Sequence, residues 1–197
     1  MTERAALSIV VEARTDADIV RAILGKELSR RVRIYAAQGR VALATVARNV
    51  SIHEGGPVLL VMDSETRDPQ LSAQLSATNT AAMSGGFTLA GVGTNSSDGL
   101  EALGKVFAFV PEIEVVFFEA PLAMQQVLGK KVSAEKIKQG LLAPRSTAKE
   151  LLAETHTAQN LNDALKAVDP KVLLTSKQAK SLKDTVEVTM AVHAAGS

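Results

Sequence analysis

The sequence predicts an α/β protein with a small, mainly parallel β-sheet flanked by helices and a helical C-terminal extension. Short apolar, β-branched runs alternate with segments of helical spacing in the first half of the chain, as in sheets whose strands are buried on both faces. Two of these strands end in carboxylates. From residue 133 onward the pattern is helical, with polar turns at Pro144 and Pro170.

The N-terminal unit is a strand, a tight turn and a helix. We predict the strand at residues 6–12, ending in Glu12. Thr15 and Asp18, three residues apart, indicate a capping box, and apolar residues at helical spacing follow over 19–28.

A second unit of the same kind follows, and then the clearest buried strand of the chain. The second strand is predicted at 32–37, with a helix after Gly39, and the third strand at 57–62 ends next to Asp63. Because reactive groups in open parallel sheets gather beyond the carboxyl ends of the strands, Glu12 and Asp63 are predicted to meet there.

The middle of the chain has weaker signals. Residues 70–83 are small and polar, which favours a loop or irregular edge, and 87–92 is a candidate strand between glycines. A further strand is predicted at 106–110, closed by Pro111. Residues 112–118 fit a strand or a helix, and we favour a helix because proline suits a first helical turn.

The composition changes near Gly129. We expect two parts, an α/β domain over 1–129 and a helical extension over 130–197 packed on it. Ten of the twelve lysines lie between 130 and 183, whereas nine of the ten arginines lie in the first third of the chain. The predicted helices of the extension cover residues 133–142, 146–154, 158–168 and 177–193.

Composition excludes several kinds of site. The chain has no cysteine, so it has neither a thiolate nucleophile nor a cysteine zinc site, and oxygen ligands are the expected way to hold a metal. The net charge of +1 gives no overall attraction to nucleic acid or membrane, although the positive charge is segregated. No apolar run is long enough to span a bilayer and no signal peptide is recognisable, so we expect a cytoplasmic protein without a membrane partner.

Carboxylates at the two strand ends are the strongest chemical signal. Glu12 and Asp16 straddle a turn, while Asp63 and Glu65, two apart in a segment predicted to be extended, would point the same way. Converging carboxylates repel one another unless cations lie between them, and Mg²⁺ or Mn²⁺ prefers oxygen ligands. Helix capping by Asp16 and Asp18 and a solvated turn at the Asp63 cluster remain the alternative.

Two segments resemble the TOPRIM domain of topoisomerases, bacterial primases, recombination proteins and OLD-family nucleases. They are VVEARTDADIV (residues 10–20) and VLLVMDSETRD (residues 58–68), similar to the family's Glu-containing turn and its D-x-D strand end. Ala13 stands where the family usually has glycine, and Glu65 replaces the second Asp. Residues 111–129 and 143–153 are similar to regions of OLD-like and small stand-alone TOPRIM nucleases.

The resemblance implies metal-dependent cleavage or nicking of nucleic acid, with DNA as the expected substrate. Glu12, Asp63 and Glu65 would be catalytic, with Glu12 as a metal ligand or general base. The metal, Mg²⁺ or Mn²⁺, would be held by acidic residues at the family's positions, namely Glu12, Asp16, Asp63, Glu65 and Glu114.

Basic residues would contact the nucleic acid. Arg40, after Gly39, stands where many relatives have a Gly-Lys pair, and Lys177 or Lys180 would supply the basic residue of the C-terminal part. An ordinary turn with a solvated arginine, and solvated helix faces, are the alternative readings of these residues.

The resemblance also suggests partners and a setting. OLD-family relatives join their TOPRIM unit to an ATPase domain, and these 197 residues contain no Walker A sequence. A separately encoded ATPase partner, in phage defence or DNA repair, is therefore a hypothesis, and a homo-oligomer is left open.

Two alternatives to a nuclease remain. The first is a catalytically degenerate TOPRIM-like module that binds nucleic acid or a partner protein. The second is a doubly wound domain of the response-regulator kind, for which the chain lacks adjacent acids after the first strand and a lysine after the last.

Overall fold

The computed structural model describes residues 6–89, 104–155, 161–166 and 168–195, which form four strands and ten helices. The strands are β1 (Leu7–Val11), β2 (Val32–Ala36), β3 (Val58–Asp63) and β4 (Gly104–Phe109). The helices of the first half are α1 (Arg14–Arg31), α2 (Arg40–Glu54) and α3 (Pro69–Leu89). Those that follow β4 are α4 (Val115–Glu119), α5 (Pro121–Leu128), α6 (Ala134–Leu142), α7 (Pro144–Glu154), α8 (Leu161–Lys166), α9 (Pro170–Leu173) and α10 (Lys177–Ala195).

The described strands form one parallel sheet in the order β2-β1-β3-β4. This confirms the predicted fold class. In the register of the two central strands, Ser8 lies opposite Val58 and Val10 opposite Leu60. The carboxyl ends of β1 and β3 therefore lie side by side at one edge of the sheet.

Helices cover both faces of the sheet, which explains why β1 is buried along its whole length. Leu7, Ile9 and Val11 belong to one apolar cluster, whereas Val10 belongs to a second cluster on the opposite face with Leu43 of α2. Alternate residues of a strand point to opposite faces, so an unbroken apolar run is what a doubly covered strand requires.

The C-terminal helices pack into the first of these clusters. Leu151 of α7 and Leu182 and Val186 of α10 share it with Ile9 of β1 and Ile23 of α1. These helices thus form part of the layer that covers one face of the sheet. A division into parts at residue 129 stays a prediction.

Most predicted elements are present, with boundaries that differ by a few residues. The prediction of a loop over residues 70–83 is wrong, because this segment lies in α3. The helix is largely exposed, with Leu75 packed against the second cluster, so it has no broad apolar stripe to reveal its period. Of the strand predicted at 87–92, residues 87–89 are helical and 90–92 lie outside the described residues.

Two local predictions are also corrected. The helix after Pro111 begins only at Val115, after a turn. Helix α1 begins at Arg14 with Ala13 as its N-cap, and the Asp16 carboxylate accepts a hydrogen bond from the Ala13 N–H at 3.0 Å, so the capping box predicted from Thr15 and Asp18 is wrong.

In the C-terminal part, the helices predicted at 133–142, 146–154 and 177–193 are present as α6, α7 and α10. The helix predicted at 158–168 is described over 161–166, and residues 156–160 and 167 lie outside the described ones. Among the described helices, none is long and apolar enough to cross a membrane.

Candidate active site

Glu12 and Asp63 meet at the carboxyl edge of the sheet. Glu12 directly follows β1 and Asp63 ends β3, and the Asp63 N–H donates a hydrogen bond to Glu12 Oε1 at 3.3 Å. The predicted encounter of these two residues, 51 positions apart, is therefore present in the structure.

Asp63 is the most enclosed carboxylate of this group, with 3% of its side chain exposed. Its Oδ1 accepts a hydrogen bond from the Ile113 N–H at 2.8 Å, and its Oδ2 accepts one from the Arg145 guanidinium. Burial raises the pKa of Asp63 to about 7, although the charge of Arg145 opposes the shift. Asp63 is thus a stronger base than a solvent-exposed aspartate.

Arg145, in the first turn of α7, bridges two carboxylates. Its guanidinium pairs with Asp63, and its Nε donates to Glu114 Oε1 at 3.0 Å. Its backbone N–H donates to Glu112 Oε2 at 2.9 Å, which fixes the start of the helix beside the turn that follows β4. Our sequence reasoning missed this residue, although the stretch after Pro144 that contains it was matched to TOPRIM nucleases.

Glu114 has one partnered and one unpartnered oxygen. Oε1 accepts from Arg145, whereas Oε2 is buried and has no hydrogen-bond partner in the part of the chain that the structure describes. Burial raises the pKa of Glu114, and the neighbouring charge of Arg145 opposes this. A buried carboxylate oxygen without a donor is costly unless a proton or cation meets it.

Asp16 and Glu12 complete the acidic group. Asp16 is 6% exposed and is held by the Ala13 N–H. Burial raises the pKa of both carboxylates, and hydrogen bonds from the Ala13 and Asp63 N–H groups oppose the shift in Asp16 and Glu12 respectively. Ala13 has a φ of −129°, in the extended region, so this turn does not require the glycine of the family pattern.

Glu65 lies in a different environment from Asp63. The prediction of an extended segment is wrong at this point, because Glu65 has a φ of 52°, in the left-handed region. Its side chain is 56% exposed and pairs with Arg40 at the start of α2. The preceding Gly39 donates its N–H to the Glu12 carbonyl at 2.9 Å, which places Arg40 at the rim of the acidic group.

Lys177 and Lys180 are exposed residues in the first turn of α10. Neither lines the cavity beside the acidic group. The C-terminal part instead contributes Arg145 to the carboxylates, and a role for the two lysines stays a prediction.

A cavity of about 340 Å³ opens beside the acidic group. Its wall combines charged and polar side chains with apolar ones. The residues that line it are Glu12, Ala13, Thr15, Asp16, Ile19, Gly39, Glu114, Phe117, Met124, Val127, Arg145, Ala148, Lys149 and Leu152.

The acidic group suits a hard divalent cation in its chemistry, because such cations prefer carboxylate oxygens as ligands. One of these oxygens, Glu114 Oε2, is buried and has no hydrogen-bond partner among the described residues. In the positions observed, however, no three His, Cys, Asp or Glu side chains among the described residues are grouped to hold a metal ion. Arg145 pairs with both Asp63 and Glu114, so its guanidinium already supplies positive charge where a metal would.

Comparison with known proteins identifies the fold. No protein-family model matches the chain, and no curated protein sequence matches it significantly. Among solved structures, the chain is similar to the C-terminal region of the Burkholderia pseudomallei OLD protein, at 17% identity and a TM-score of 0.50, over 92% of this chain and 98% of that one. It is also similar to the C-terminal region of the Xanthomonas campestris pv. campestris OLD protein, at 14% identity and a TM-score of 0.48, over 93% of this chain and 97% of that one. The first of these shows that the chain has an OLD-like TOPRIM fold.

Proposed function

We propose that the protein is a metal-dependent nuclease that cleaves or nicks nucleic-acid phosphodiester bonds, with DNA as the expected substrate. The observation that supports this most directly is the meeting of Glu12 and Asp63 at the carboxyl edge of the sheet, joined by a hydrogen bond of 3.3 Å. Residues that lie far apart in the sequence and meet at strand ends are typical of active sites in open parallel sheets. The OLD-like fold supports the same class of protein.

Mg²⁺ or Mn²⁺ is the proposed cofactor. Asp63, Glu114, Asp16 and Glu12 would hold it, with Glu65 as a further ligand from the exposed rim. When bound, such a cation lowers the pKa of attacking water and neutralises charge that develops on the phosphate.

The protein groups act on protons and on the substrate's backbone. Burial raises the pKa of Glu12, so this carboxylate is a better proton acceptor than an exposed glutamate. As the alternative to holding the metal, Glu12 would act as general base and take the proton that the attacking water loses. As that water's oxygen bonds to phosphorus, the bond to the leaving sugar oxygen breaks. Arg40 at the rim would contact a neighbouring phosphate, as would Lys177 or Lys180.

The experiment is a cleavage assay on supercoiled, linear and single-stranded DNA and on RNA, with Mg²⁺, Mn²⁺ or EDTA. Glu12→Gln and Asp63→Asn each remove one charge with little change of shape. We expect each to reduce cleavage by about 100-fold or more, the typical loss for a positioned acid or base. Circular dichroism should show that both variants are folded.

Glu150→Gln and Asp163→Asn are matched controls, since both residues lie in exposed ion pairs on the C-terminal helices. They should cleave as the wild type does. Wild-type cleavage by Glu12→Gln or Asp63→Asn would contradict the proposal, as would equal cleavage in EDTA.

A second candidate is a TOPRIM-like module that binds nucleic acid or a partner protein without metal chemistry. The two ion pairs of Arg145 favour it, because they give Asp63 and Glu114 a positive partner from within the chain. Nucleic-acid binding that is unchanged in EDTA, together with no heat of Mn²⁺ binding in calorimetry, would select this candidate over the nuclease.

An ATPase partner is also proposed. The 197 residues contain no Walker A sequence, so an ATPase activity would come from outside them. Co-purification with an ATPase, and cleavage that depends on ATP, would support this partnership. Robust cleavage by the purified chain alone would oppose it. A role in phage defence or DNA repair stays a prediction by analogy.

A further inference from the structure

Arg145 is a cationic side chain of the protein itself that pairs with carboxylates of the candidate site. Its guanidinium pairs with Asp63 Oδ2, and its Nε donates to Glu114 Oε1 at 3.0 Å. Both carboxylates are shielded, with 3% and 15% of their side chains exposed, so their charges are poorly solvated. Such groups need a positive partner within the protein.

The backbone of Arg145 is held in place, whereas its guanidinium is accessible. Its backbone N–H is held by Glu112, and the helix behind it is anchored in the core through Leu151 and Leu152. The side chain, however, is 31% exposed and lines the cavity of about 340 Å³. The guanidinium can therefore leave the carboxylates by side-chain rotation, without unpacking α7.

A divalent cation would need the same two carboxylates that Arg145 engages. On Asp63 it would need Oδ2, with which Arg145 pairs, and on Glu114 it would need Oε2, the oxygen beside the one that accepts from Arg145. A guanidinium and a metal ion that both bound one carboxylate would lie close together and repel each other. The arginine pairs and the metal are thus alternative partners of Asp63 and Glu114.

We propose that Arg145 is a resident counter-cation that competes with the divalent metal for Asp63 and Glu114. Metal loading breaks both ion pairs and releases the guanidinium toward the cavity. Without metal, the same pairs hold the start of α7 against the end of β3. This inference rests on the metal site proposed above and adds which positive group partners Asp63 and Glu114 when no metal is bound.

The test measures Mn²⁺ binding by titration calorimetry, and melting temperature in EDTA and in Mn²⁺, so no cleavage is required. Arg145→Gln should bind Mn²⁺ about tenfold more tightly than the wild type, because the competitor is gone. In EDTA its melting temperature should fall by roughly 5 °C or more, since two shielded carboxylates lose their partner. Added Mn²⁺ should raise the melting temperature of Arg145→Gln more than that of the wild type.

Two further variants sharpen the result. Lys149→Gln removes the same charge from the wall of the same cavity, and it should change Mn²⁺ affinity by less than about threefold. Arg145→Lys keeps the charge but loses the planar guanidinium, whose several N–H groups contact two carboxylates at once. The Mn²⁺ affinity of this variant should therefore lie between those of Arg145→Gln and the wild type. It also serves as the test variant if Arg145→Gln does not fold in EDTA.

Weaker or equal Mn²⁺ binding by Arg145→Gln would overturn this inference and leave the metal site standing, with Arg145 as a residue that positions the ligands. Equal tightening by Lys149→Gln would also overturn it, since the effect would then come from overall charge. Failure of every variant to bind Mn²⁺ would overturn the metal site, and this inference with it.

Discussion

Asp63 and Glu65 show how far the environments of two acids can differ when only one residue separates them. Asp63 ends a buried strand and is enclosed by Ile113 and Arg145, whereas Glu65 has left-handed backbone and an exposed side chain. Desolvation penalises only the enclosed carboxylate strongly. Burial therefore raises the pKa of Asp63 to about 7, so this carboxylate is poised to titrate near neutral pH.

The buried carboxyl predicts how stability depends on pH in the metal-free protein. The pKa of Asp63 is about 7 in the folded state against a reference value of 3.8, so between these values the folded state holds the extra proton. The free energy of unfolding should accordingly fall as pH rises from about 4 to about 7, by at most about 1.4 kcal/mol per pH unit for this group. Urea unfolding in EDTA at several pH values measures it.

Asp63→Asn is the informative variant, because it removes the titrating group and keeps an oxygen for the Ile113 N–H. Its free energy of unfolding should fall less steeply over this pH range. Asp163→Asn, at an exposed position, should keep the wild-type slope. Identical slopes for Asp63→Asn and the wild type would show that Asp63 does not titrate as described.

At the scale of elements, helices α4 and α6 are in close contact at a single small residue. Gly140 is buried in α6, and a Cβ built there would lie 2.1 Å from ring carbons of Phe118 in α4. Phe118 is 1% exposed and belongs to the buried apolar cluster. Glycine here permits the close approach of α6 to α4, the helix that begins directly after Glu114.

Gly140→Ala should therefore destabilise the protein, although alanine is the better helix former by about 1 kcal/mol. The overpacking against Phe118 outweighs that gain, and we expect a net loss of about 2–3 kcal/mol in the free energy of unfolding. Gly56→Ala is the control, since a Cβ there meets nothing within 4 Å. A Gly140→Ala protein as stable as the wild type would mean that the helices do not approach this closely.

At the scale of the whole molecule, the C-terminal helices and the sheet share one apolar cluster. Leu182 of α10 is fully buried in the cluster that contains Ile9 of β1, more than 170 positions away. A core that joins both ends of the chain favours unfolding in one cooperative step.

Leu182→Ala tests this coupling. The lost burial and the cavity should lower the free energy of unfolding by about 2–5 kcal/mol, within a single transition seen by both circular dichroism and fluorescence of an added dye. Val188→Ala on the exposed side of the same helix should change stability by less than about 0.5 kcal/mol. Two separate transitions, of which Leu182→Ala shifts only one, would show that the C-terminal part folds independently.

The sequence by itself determined the sheet and the meeting of its two acids. Unbroken apolar runs require strands covered on both faces, and a parallel arrangement places Glu12 and Asp63 at the same edge of the sheet. It did not reveal helix α3, because a largely exposed helix of small and polar residues carries little periodic signal.

Only the tertiary structure decided which basic residue reaches the acids. Arg145 lies 82 positions from Asp63, and no local pattern pairs it with that carboxylate. Its position follows from the packing of α7 against the core. That packing is set by the burial of Leu151 and Leu152 and by the hydrogen bond from the Arg145 N–H to Glu112. The strands and the acids at their carboxyl ends follow from local patterns, whereas an ion pair between a helix terminus and a distant strand depends on how the whole core packs.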